Sequence, residues 1–256
     1  MAEPDGGSDG SSDSGLHLEP QYEPQYEPQY ENMKQGKLYI TATPIGNLAD
    51  LTFRAKKILE TVDLIACEDT RHSKILLNHY GIQKPLLSFH SHSGRTKVDK
   101  IIQHLKNGDD VALISDAGTP GISDPGYVLI QAALENGIEV IPIPGPSAVL
   151  TALCASGLPT DKFLYLGFLP VKKGRQTLFK SMADSKYTVV FYESPHRLLK
   201  TICELKKVLK PDTKVTIAKE LTKIYETFFR GTLNDIEKKL PVGKPKGEYV
   251  VMVHNG

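Results

Sequence analysis

The sequence predicts an α/β protein made of two α/β domains and preceded by a tail that does not fold. Three observations carry that expectation. From residue 36 onward, short apolar runs of strand length alternate with stretches of helical periodicity, the pattern of a mostly parallel sheet with right-handed crossovers. The run Pro142-Ile-Pro-Gly-Pro146 breaks this alternation, and the strand-like runs beyond it stand closer together, which suits a mixed sheet. Residues 1–35 begin with a Gly/Ser/Asp run and continue with three copies of Glu-Pro-Gln-Tyr between Glu19 and Tyr30. Proline every fourth residue forbids a continuous helix there, and the apolar surface is too small to offset the ordering entropy. The expected boundaries are therefore a disordered acidic tail over 1–35, a first domain over 36–144 and a second over 145–256.

Each element has its own reason. Residues 37–43 read as a strand, and 51–62 as a helix with Phe53, Ile58, Leu59 and Val62 as its apolar positions. A strand at 63–67, a helix at 70–80 and a helix containing 98–105 follow. Residues 111–115 form an apolar run with the length of a buried strand. A helix at 126–135 and a strand at 139–143 complete the first domain. In the second, the pattern gives a helix at 147–156, a strand at 163–168, a helix at 173–183, a strand at 188–192 and a helix at 195–209. Strands at 215–219 and 225–229 pair, and 248–253 is the last strand.

Composition narrows the class. With 256 residues, 40% apolar and 24% charged, the chain suits one or two ordinary globular domains. Cys67, Cys154 and Cys203 are far apart and form no Cys-x-x-Cys pair, which argues for a reducing compartment and against a disulfide framework or zinc site. No apolar run has transmembrane length. The first 35 residues lack the apolar core of a signal peptide and are too acidic for a mitochondrial presequence, so the expected location is cytoplasmic. The net charge of +1 conceals an asymmetry: residues 1–35 carry −7, leaving about +8 on the remainder, a surplus compatible with a polyanionic partner.

The most informative segment is 109–126, where a buried-strand run ends at Ser115-Asp116 and enters a loop with Gly118, Gly121, Gly126, Pro120 and Pro125. Glycine permits close approach of backbone to a ligand while proline stiffens the loop. Three more strand ends carry loops of similar character: Thr41-Ala-Thr-Pro-Ile-Gly-Asn-Leu48, Glu68-Asp-Thr-Arg-His-Ser73 and Pro144-Gly-Pro-Ser-Ala148. In a parallel sheet all four gather at one edge, where α/β proteins bind ligands. Each also has a plain structural reading: a tight turn for the first, an N-cap by Asp69 or Thr70 for the second, and Pro-Gly-Pro-Ser as a helix start for the last. His90-x-His92 lacks a nearby third ligand and reads as a solvated pair rather than a metal site. Neither a P-loop nor Gly-x-Gly-x-x-Gly after a strand is present, which disfavours kinases, nucleotide hydrolases and standard dinucleotide oxidoreductases. The absence of a Gly-x-Ser-x-Gly elbow disfavours acyl transfer.

Taken in order, the loops resemble the tetrapyrrole-methylase superfamily, and within it the ribosomal RNA small subunit methyltransferase I family. The matching runs are Thr43-Pro-Ile-Gly-Asn-Leu48, Asp63-Leu-Ile-Ala-Cys-Glu-Asp-Thr-Arg-His72, Ser115-Asp-Ala-Gly-Thr-Pro120 and Ser123-Asp-Pro-Gly-Tyr127. They continue with Pro144-Gly-Pro-Ser147, Gly157-Leu-Pro159, Gly167-Phe-Leu-Pro170, Phe191-Tyr-Glu-Ser194 with His196-Arg197, Ala218-Lys-Glu-Leu-Thr222 and Lys246-Gly-Glu248. The resemblance spans residues 36–256. It implies an enzyme that uses S-adenosyl-L-methionine to methylate the ribose 2′-hydroxyl of a cytidine in the decoding region of 16S ribosomal RNA. It also implies a homodimer that works on ribosomal RNA or the 30S subunit, has no membrane partner and holds the donor in the cleft between its two domains. No metal is implied.

By the same resemblance, the donor would lie against Pro44 and Gly46, the loop of Ser115, Asp116, Ala117, Gly118, Thr119 and Pro120, and the backbone near Gly167 and Phe168. Ala218 and Gly247 would complete the cleft. A ribose hydroxyl is a poor nucleophile, so a base or a cation beside the developing alkoxide helps. Glu68 is the first choice of base, with Arg71 and His72 on RNA phosphate or the oxygen, unless Glu68 and Arg71 are an ion pair shaping the cleft. Glu193 and Glu220 offer further carboxylates. Arg54, His196, Arg197 and Lys219 are expected on the RNA path, as are Arg95, Lys97, Lys172, Lys173 and Arg175. The acidic tail would repel RNA and is given no part in binding it. Relatives often carry a further C-terminal segment, so a chain ending at Gly256 is expected to grip RNA with its dimer surface. Two rival readings are a methylase of a tetrapyrrole or corrin intermediate and a non-catalytic donor-binding assembly factor.

Overall fold

Leu38, Ile40, Val111 and Leu113 point to one face of a five-stranded sheet, while Ile65, Cys67, Ala112 and Ile114 point to the other. This is why the strands read as continuous apolar runs: helices cover both faces. The computed structural model describes residues 34–91, 93–240 and 245–256. Residues 1–33 of the expected tail, and His92 of the histidine pair, lie outside the described residues.

The first sheet contains β1 (Leu38–Thr41), β2 (Leu64–Cys67), β3 (Leu86–Ser88), β4 (Val111–Ile114) and β5 (Val140–Ile143). Their order is β3-β2-β4-β1-β5 and every pairing is parallel. The connecting helices are α1 (Phe53–Thr61), α2 (Thr70–His79), α3 (Arg95–Lys106) and α4 (Tyr127–Glu135). Helices α3 and α4 cover one face through Ile101, Leu105, Leu129 and Ala133. Helices α1 and α2 cover the other through Ala55, Leu59, Leu76 and Leu77. Strand β3 is only three residues long, too short to show a period in the sequence, and it closes one edge. Pro142 is tolerated in β5 because that strand is the opposite edge.

One expectation for α1 is corrected. Phe53 is 95% exposed, not a core position. Thr52 caps the helix, accepting a hydrogen bond from the Ala55 N–H at 3.1 Å, and Ala55 faces the sheet. Phe53, two residues earlier, is turned by about 200° to the opposite side of the helix.

Helix α5 (Ala148–Cys154) leads into the second sheet, built from β6 (Phe163–Phe168), β7 (Thr188–Glu193), β8 (Lys214–Lys219), β9 (Thr227–Thr232) and β10 (Tyr249–His254). Helices α6 (Arg175–Ala183), α7 (Leu198–Leu205) and the short α8 (Ile236–Lys239) accompany them. The order is β6-β7-β10-β8-β9, parallel between β6 and β7 and antiparallel elsewhere, hence mixed. Central β10 alternates strictly. Tyr249, Val251 and Val253 enter the core beneath α6 and α7, whereas Val250 and Met252 pack with Val149, Ala152 and Leu153 of α5. Ile45, from the loop after β1, joins that second cluster, so the two sheets share apolar contacts.

Candidate functional site

Because the first sheet is wholly parallel, the loops after β1, β2, β4 and β5 emerge at one edge. Two are stitched together: the Thr43 N–H donates to the Gly118 carbonyl at 2.9 Å, and the Gly118 N–H returns a bond to Thr43 at 3.0 Å. The Thr43 hydroxyl adds a bond to the Ser115 carbonyl at 3.0 Å. Gly118 sits at φ +90°, a conformation that side chains with a Cβ rarely adopt. Glycine is therefore needed for this stitch.

These loops wall a cavity of about 370 Å³ whose opposite wall comes from the second sheet. Asp116, Ala117, Gly118 and Thr119 line it from the β4 loop, joined by Ile122, Ser123 and Asp124. Ile45, Ser147 and Ala148 add a floor. Phe168, Tyr192, Leu221 and residues 193–195 and 248–250 face them. The size falls within the roughly 300–1,000 Å³ usual for small-molecule sites.

The aromatic side of the cavity is held from β6 and β7. The Tyr192 ring packs edge-on against Tyr165 at 5.5 Å and tilted against Phe168 at 5.2 Å. The Tyr165 hydroxyl and Ser123 Oγ are 2.6 Å apart, tying the long β4 loop to the second sheet. Ser123 takes φ 66° without being glycine. Burial, with Tyr165 beside it, raises the Tyr192 phenol, so it stays protonated.

The opposite rim is acidic: Asp116 and Asp124 line it, while Glu68 and the rest of the β2 loop stand outside the lining. Burial raises the Glu68 carboxyl, and Asp116, Asp124 and Asp69 push it further in the same direction. Asp124 is raised mainly by burial and also by Asp116, against a hydrogen bond from Ser115. Asp69 is the N-cap of α2, accepting from the Arg71 N–H at 2.8 Å. Its own N–H donates to Asp116 at 3.1 Å, which fixes the β2 loop against the β4 loop.

The expected site residues divide accordingly. Asp116, Ala117, Gly118, Thr119 and Phe168 line the cavity. Ser115, Pro44 and Pro120 are buried behind it, with the Ser115 hydroxyl donating to the Gly118 carbonyl at 3.3 Å. A Cβ on Gly167 would stand 3.1 Å from Ser123 Oγ. Gly46 and Gly247 serve a seam rather than the wall. A Cβ on Gly46 would fall 2.5 Å from Lys223 Cγ, and one on Gly247, at φ +93°, 2.6 Å from the Glu220 carboxyl carbon. At that seam the Glu220 carboxylate accepts from the Glu248 N–H at 2.9 Å and from Lys223 at 3.1 Å. Burial would raise Glu220, but the Glu248 N–H and Lys223 outweigh it and hold the carboxyl low.

The remaining expected residues take the following places. Ala218 is fully buried in the core shared by the two sheets, because the alternation of β8 turns it inward. Arg71 pairs with Asp69 at 2.7 Å rather than with Glu68, and its side chain is 90% exposed. His72 and His196 are exposed. Arg54 is exposed and spends one nitrogen on the Pro142 carbonyl at 3.1 Å; Lys219 is half-buried at the end of β8. Arg197 is held by Glu193 at 2.7 Å and by the Leu169 carbonyl at 3.0 Å. Arg175 is 4% exposed, bonded to Glu204, Pro170 and Thr201, and is no surface cation for RNA. Glu193 is likewise internal, its side chain wholly buried.

Sequence reasoning missed Ile45, Ile122, Ser123, Asp124, Tyr192, Leu221 and Tyr249 as wall residues. The run Ser123-Asp-Pro signalled two of them. Ile45, Tyr192 and Leu221 fall within the runs 43–48, 191–194 and 218–222, whereas Ile122 and Tyr249 are ordinary positions that become wall only once the sheets meet. Among the described residues, no group of three or more His, Cys, Asp or Glu is placed to hold a metal ion, and no helix is long and apolar enough to cross a membrane.

The family profile described as Tetrapyrrole (Corrin/Porphyrin) Methylases matches residues 37–237. Solved structures share the fold. Cobalt precorrin-4 methyltransferase superposes with a TM-score of 0.64 at 18% identity, over 85% of this chain and 94% of the other. Uroporphyrin-III C-methyltransferase from Thermus thermophilus, in complex with S-adenosylhomocysteine, does so at 0.59 and 18%, over 86% and 98%. The fold and the profile together place the chain in the tetrapyrrole-methylase family. Curated relatives narrow this: proteins named ribosomal RNA small subunit methyltransferase I are 48% identical over 219 residues in Synechocystis (85% of this chain, 78% of the relative) and 47% over 218 in Thermotoga maritima (85% and 98%). The chain belongs to the ribosomal RNA small subunit methyltransferase I family.

Proposed function

We propose that this protein transfers the methyl group of S-adenosylmethionine to the ribose 2′-hydroxyl of a cytidine in the decoding region of 16S ribosomal RNA. The observation that carries the reading is the cavity itself, apolar on one side and carboxylate-edged on the other, in a chain of this family. Ile122, Phe168 and Leu221 suit a nucleoside, and the edge formed by Asp116 and Asp124 suits the ammonium and sulfonium charges. The donor set therefore fits. When bound, the donor supplies a methyl group activated by the sulfonium, for in-line displacement.

The protein's own groups do the rest. Backbone of residues 116–119 and the Phe168 wall hold the donor from two sides, so that alignment is set before RNA arrives. Glu68 is the base that accepts the ribose proton, and its raised affinity for protons suits that task near neutral pH. Arg71 and His72, exposed at the start of α2, meet RNA phosphate, as do Arg54, His196 and Lys219 on the same path. Residues 36–144 and 145–256 act as two domains closing on the donor. The enzyme works in the cytoplasm, on rRNA or 30S subunits, as a homodimer. Exposed Tyr127, Val128, Phe163 and Leu164 offer apolar area for the second copy.

Labelled S-adenosylmethionine, supplied with 30S subunits, naked 16S rRNA or a corrin precursor, tests the reading. The expected product is label in RNA at one cytidine, at an alkali-resistant linkage. Label in the corrin alone, or in nothing despite donor binding, would overturn it.

A further inference from the structure

Behind the second-sheet wall lies a buried ionic cluster whose ties end on the wall itself. The Glu193 carboxylate, at the end of β7, is wholly buried. One of its oxygens is ion-paired with Arg197 at 2.7 Å and accepts from the Ser194 N–H at 2.8 Å; the other accepts from the Thr201 hydroxyl at 2.6 Å. Arg175 stands 3.7 Å from that second oxygen, reaches the same hydroxyl at 2.6 Å and is anchored by Glu204 at 2.8 Å. Two guanidinium and two carboxylate charges thus balance within the fold. Removal of either partner would leave a buried charge exposed to low dielectric.

The remaining guanidinium donors leave the cluster. Arg197 donates to the Leu169 carbonyl and Arg175 to the Pro170 carbonyl, both at 3.0 Å. Those two residues directly follow Phe168, which lines the cavity, and Ser194, bonded to Glu193, lines it as well. The loop after β6 and the loop after β7 are therefore bolted to one carboxylate. A lysine could match the charge of Arg197 but not its two-pronged reach to Glu193 and Leu169.

We infer that Arg197 is a positioning residue for the methyl donor, acting through Glu193 and the Leu169 carbonyl to hold the Phe168 and Ser194 walls, rather than a contact to RNA phosphate. The inference rests on the proposed donor site. Arg197→Gln and Arg197→Lys are compared with the unaltered protein for S-adenosylmethionine affinity by calorimetry, 16S rRNA affinity by filter binding, and steady-state kinetics. Expected for Arg197→Gln is a donor dissociation constant raised about tenfold, a donor KM raised in step, kcat at saturating donor within about twofold, and RNA affinity unchanged. Arg197→Lys, which retains the charge and protects folding, should still weaken donor binding about threefold.

Weakened RNA binding with normal donor affinity would overturn the inference, as would normal donor affinity in both variants. A lower melting temperature with an unchanged donor KM also counts against it, since a merely structural residue would behave in that way. If the unaltered protein binds no S-adenosylmethionine, the proposed function fails instead, and the two failures are distinct.

Discussion

The two sheets wall one cavity by different means. The first uses loops at the carboxyl ends of parallel strands, and their shape is written into the backbone: Gly118 at φ +90° and Gly121 at φ +82°, stiffened by Pro120 and Pro125. The second holds its wall from behind. Glu193 is gripped by Arg197 and Thr201, and the seam near Glu248 bends at positive φ through Glu220 at 50°, Thr222 at 64° and Gly247 at 93°. A wall shaped by backbone freedom can sit close to a ligand. A wall held by buried charge is costly to loosen, and it places aromatic rings rather than amides. In the proposed function, chemistry belongs to the first sheet and fixed packing of the donor to the second.

Replacement of Glu68, the proposed base, tests that division most severely. Glu68→Gln should lower kcat by on the order of 100-fold or more, with donor affinity within about twofold. Its pH dependence sharpens the test. Burial raises the Glu68 carboxyl, and Asp116, Asp124 and Asp69 face it, so the acid limb of kcat should lie above the ordinary glutamate range. Stability runs the opposite way. A carboxyl with a raised folded-state pKa favours the fold below its unfolded value and loses that contribution as pH climbs through the raised one. Rate should therefore rise across the window in which melting temperature slips. A single-turnover rate unchanged in Glu68→Gln would move the chemistry elsewhere.

The second sheet should answer in stability. Arg175→Met leaves Glu193 and Glu204 without their shared cation, and loss of one partner from a buried pair costs about 3–5 kcal/mol. For a domain of this size that corresponds to a melting temperature lower by roughly 10 °C, readable by calorimetry. A loss of less than about 1 kcal/mol would show that solvent reaches the cluster.

What was legible in the sequence follows the same divide. The alternation of strands and helices gave both sheets nearly complete, because each strand had a full apolar face or two. The exceptions were β3, at three residues, and the four-residue α8. The first wall could be read from composition at Gly118 and Gly121, where a positive φ favours glycine, but not at Ser123, which takes φ 66° without it. The second could not. That Arg175 is 4% exposed depends on Glu204 and Thr201, 29 and 26 residues away, and an isolated arginine between lysines reads as surface. Ala218 is fully buried between the sheets, on the same sheet face as its strand partner Val250, which lines the cavity. Phe53 shows that an apolar residue in a helix need not face the core.

Two glycines allow the walls to be compared on equal terms. Gly118→Ala places a Cβ at φ +90° only 3.4 Å from Ile45. The main penalty is conformational, about 1–2 kcal/mol, and it falls on the Thr43 stitch beneath the proposed donor site. Gly247→Ala adds to a similar backbone penalty a Cβ 2.6 Å from the Glu220 carboxyl, so the Glu220–Glu248–Lys223 clamp must open. Both should weaken donor binding, Gly118→Ala by about tenfold and Gly247→Ala by less, because the seam lies behind the wall. Titration calorimetry orders them. A larger loss at Gly247 would make the second sheet the stricter determinant of the donor site.

The smallest effect is expected at Arg71, the exposed counterpart of Arg175. Its ion pair with Asp69 is short, 2.7 Å, but the guanidinium is 90% exposed, and pairs in water contribute little to stability because solvent and salt screen them. Asp69 would remain the N-cap of α2, since the Arg71 N–H that it accepts belongs to the backbone. Arg71→Ala should thus leave the melting temperature where it was and should not touch donor affinity. What remains is any role with RNA. A phosphate contact predicts a few-fold weaker 16S rRNA binding and a salt dependence of that binding shallower by about one counterion. Equal salt slopes for Arg71→Ala and the unaltered protein would leave Arg71 a solvated partner of Asp69. The proposed part of the first sheet in RNA recognition would then be left to test at His72 and Arg54.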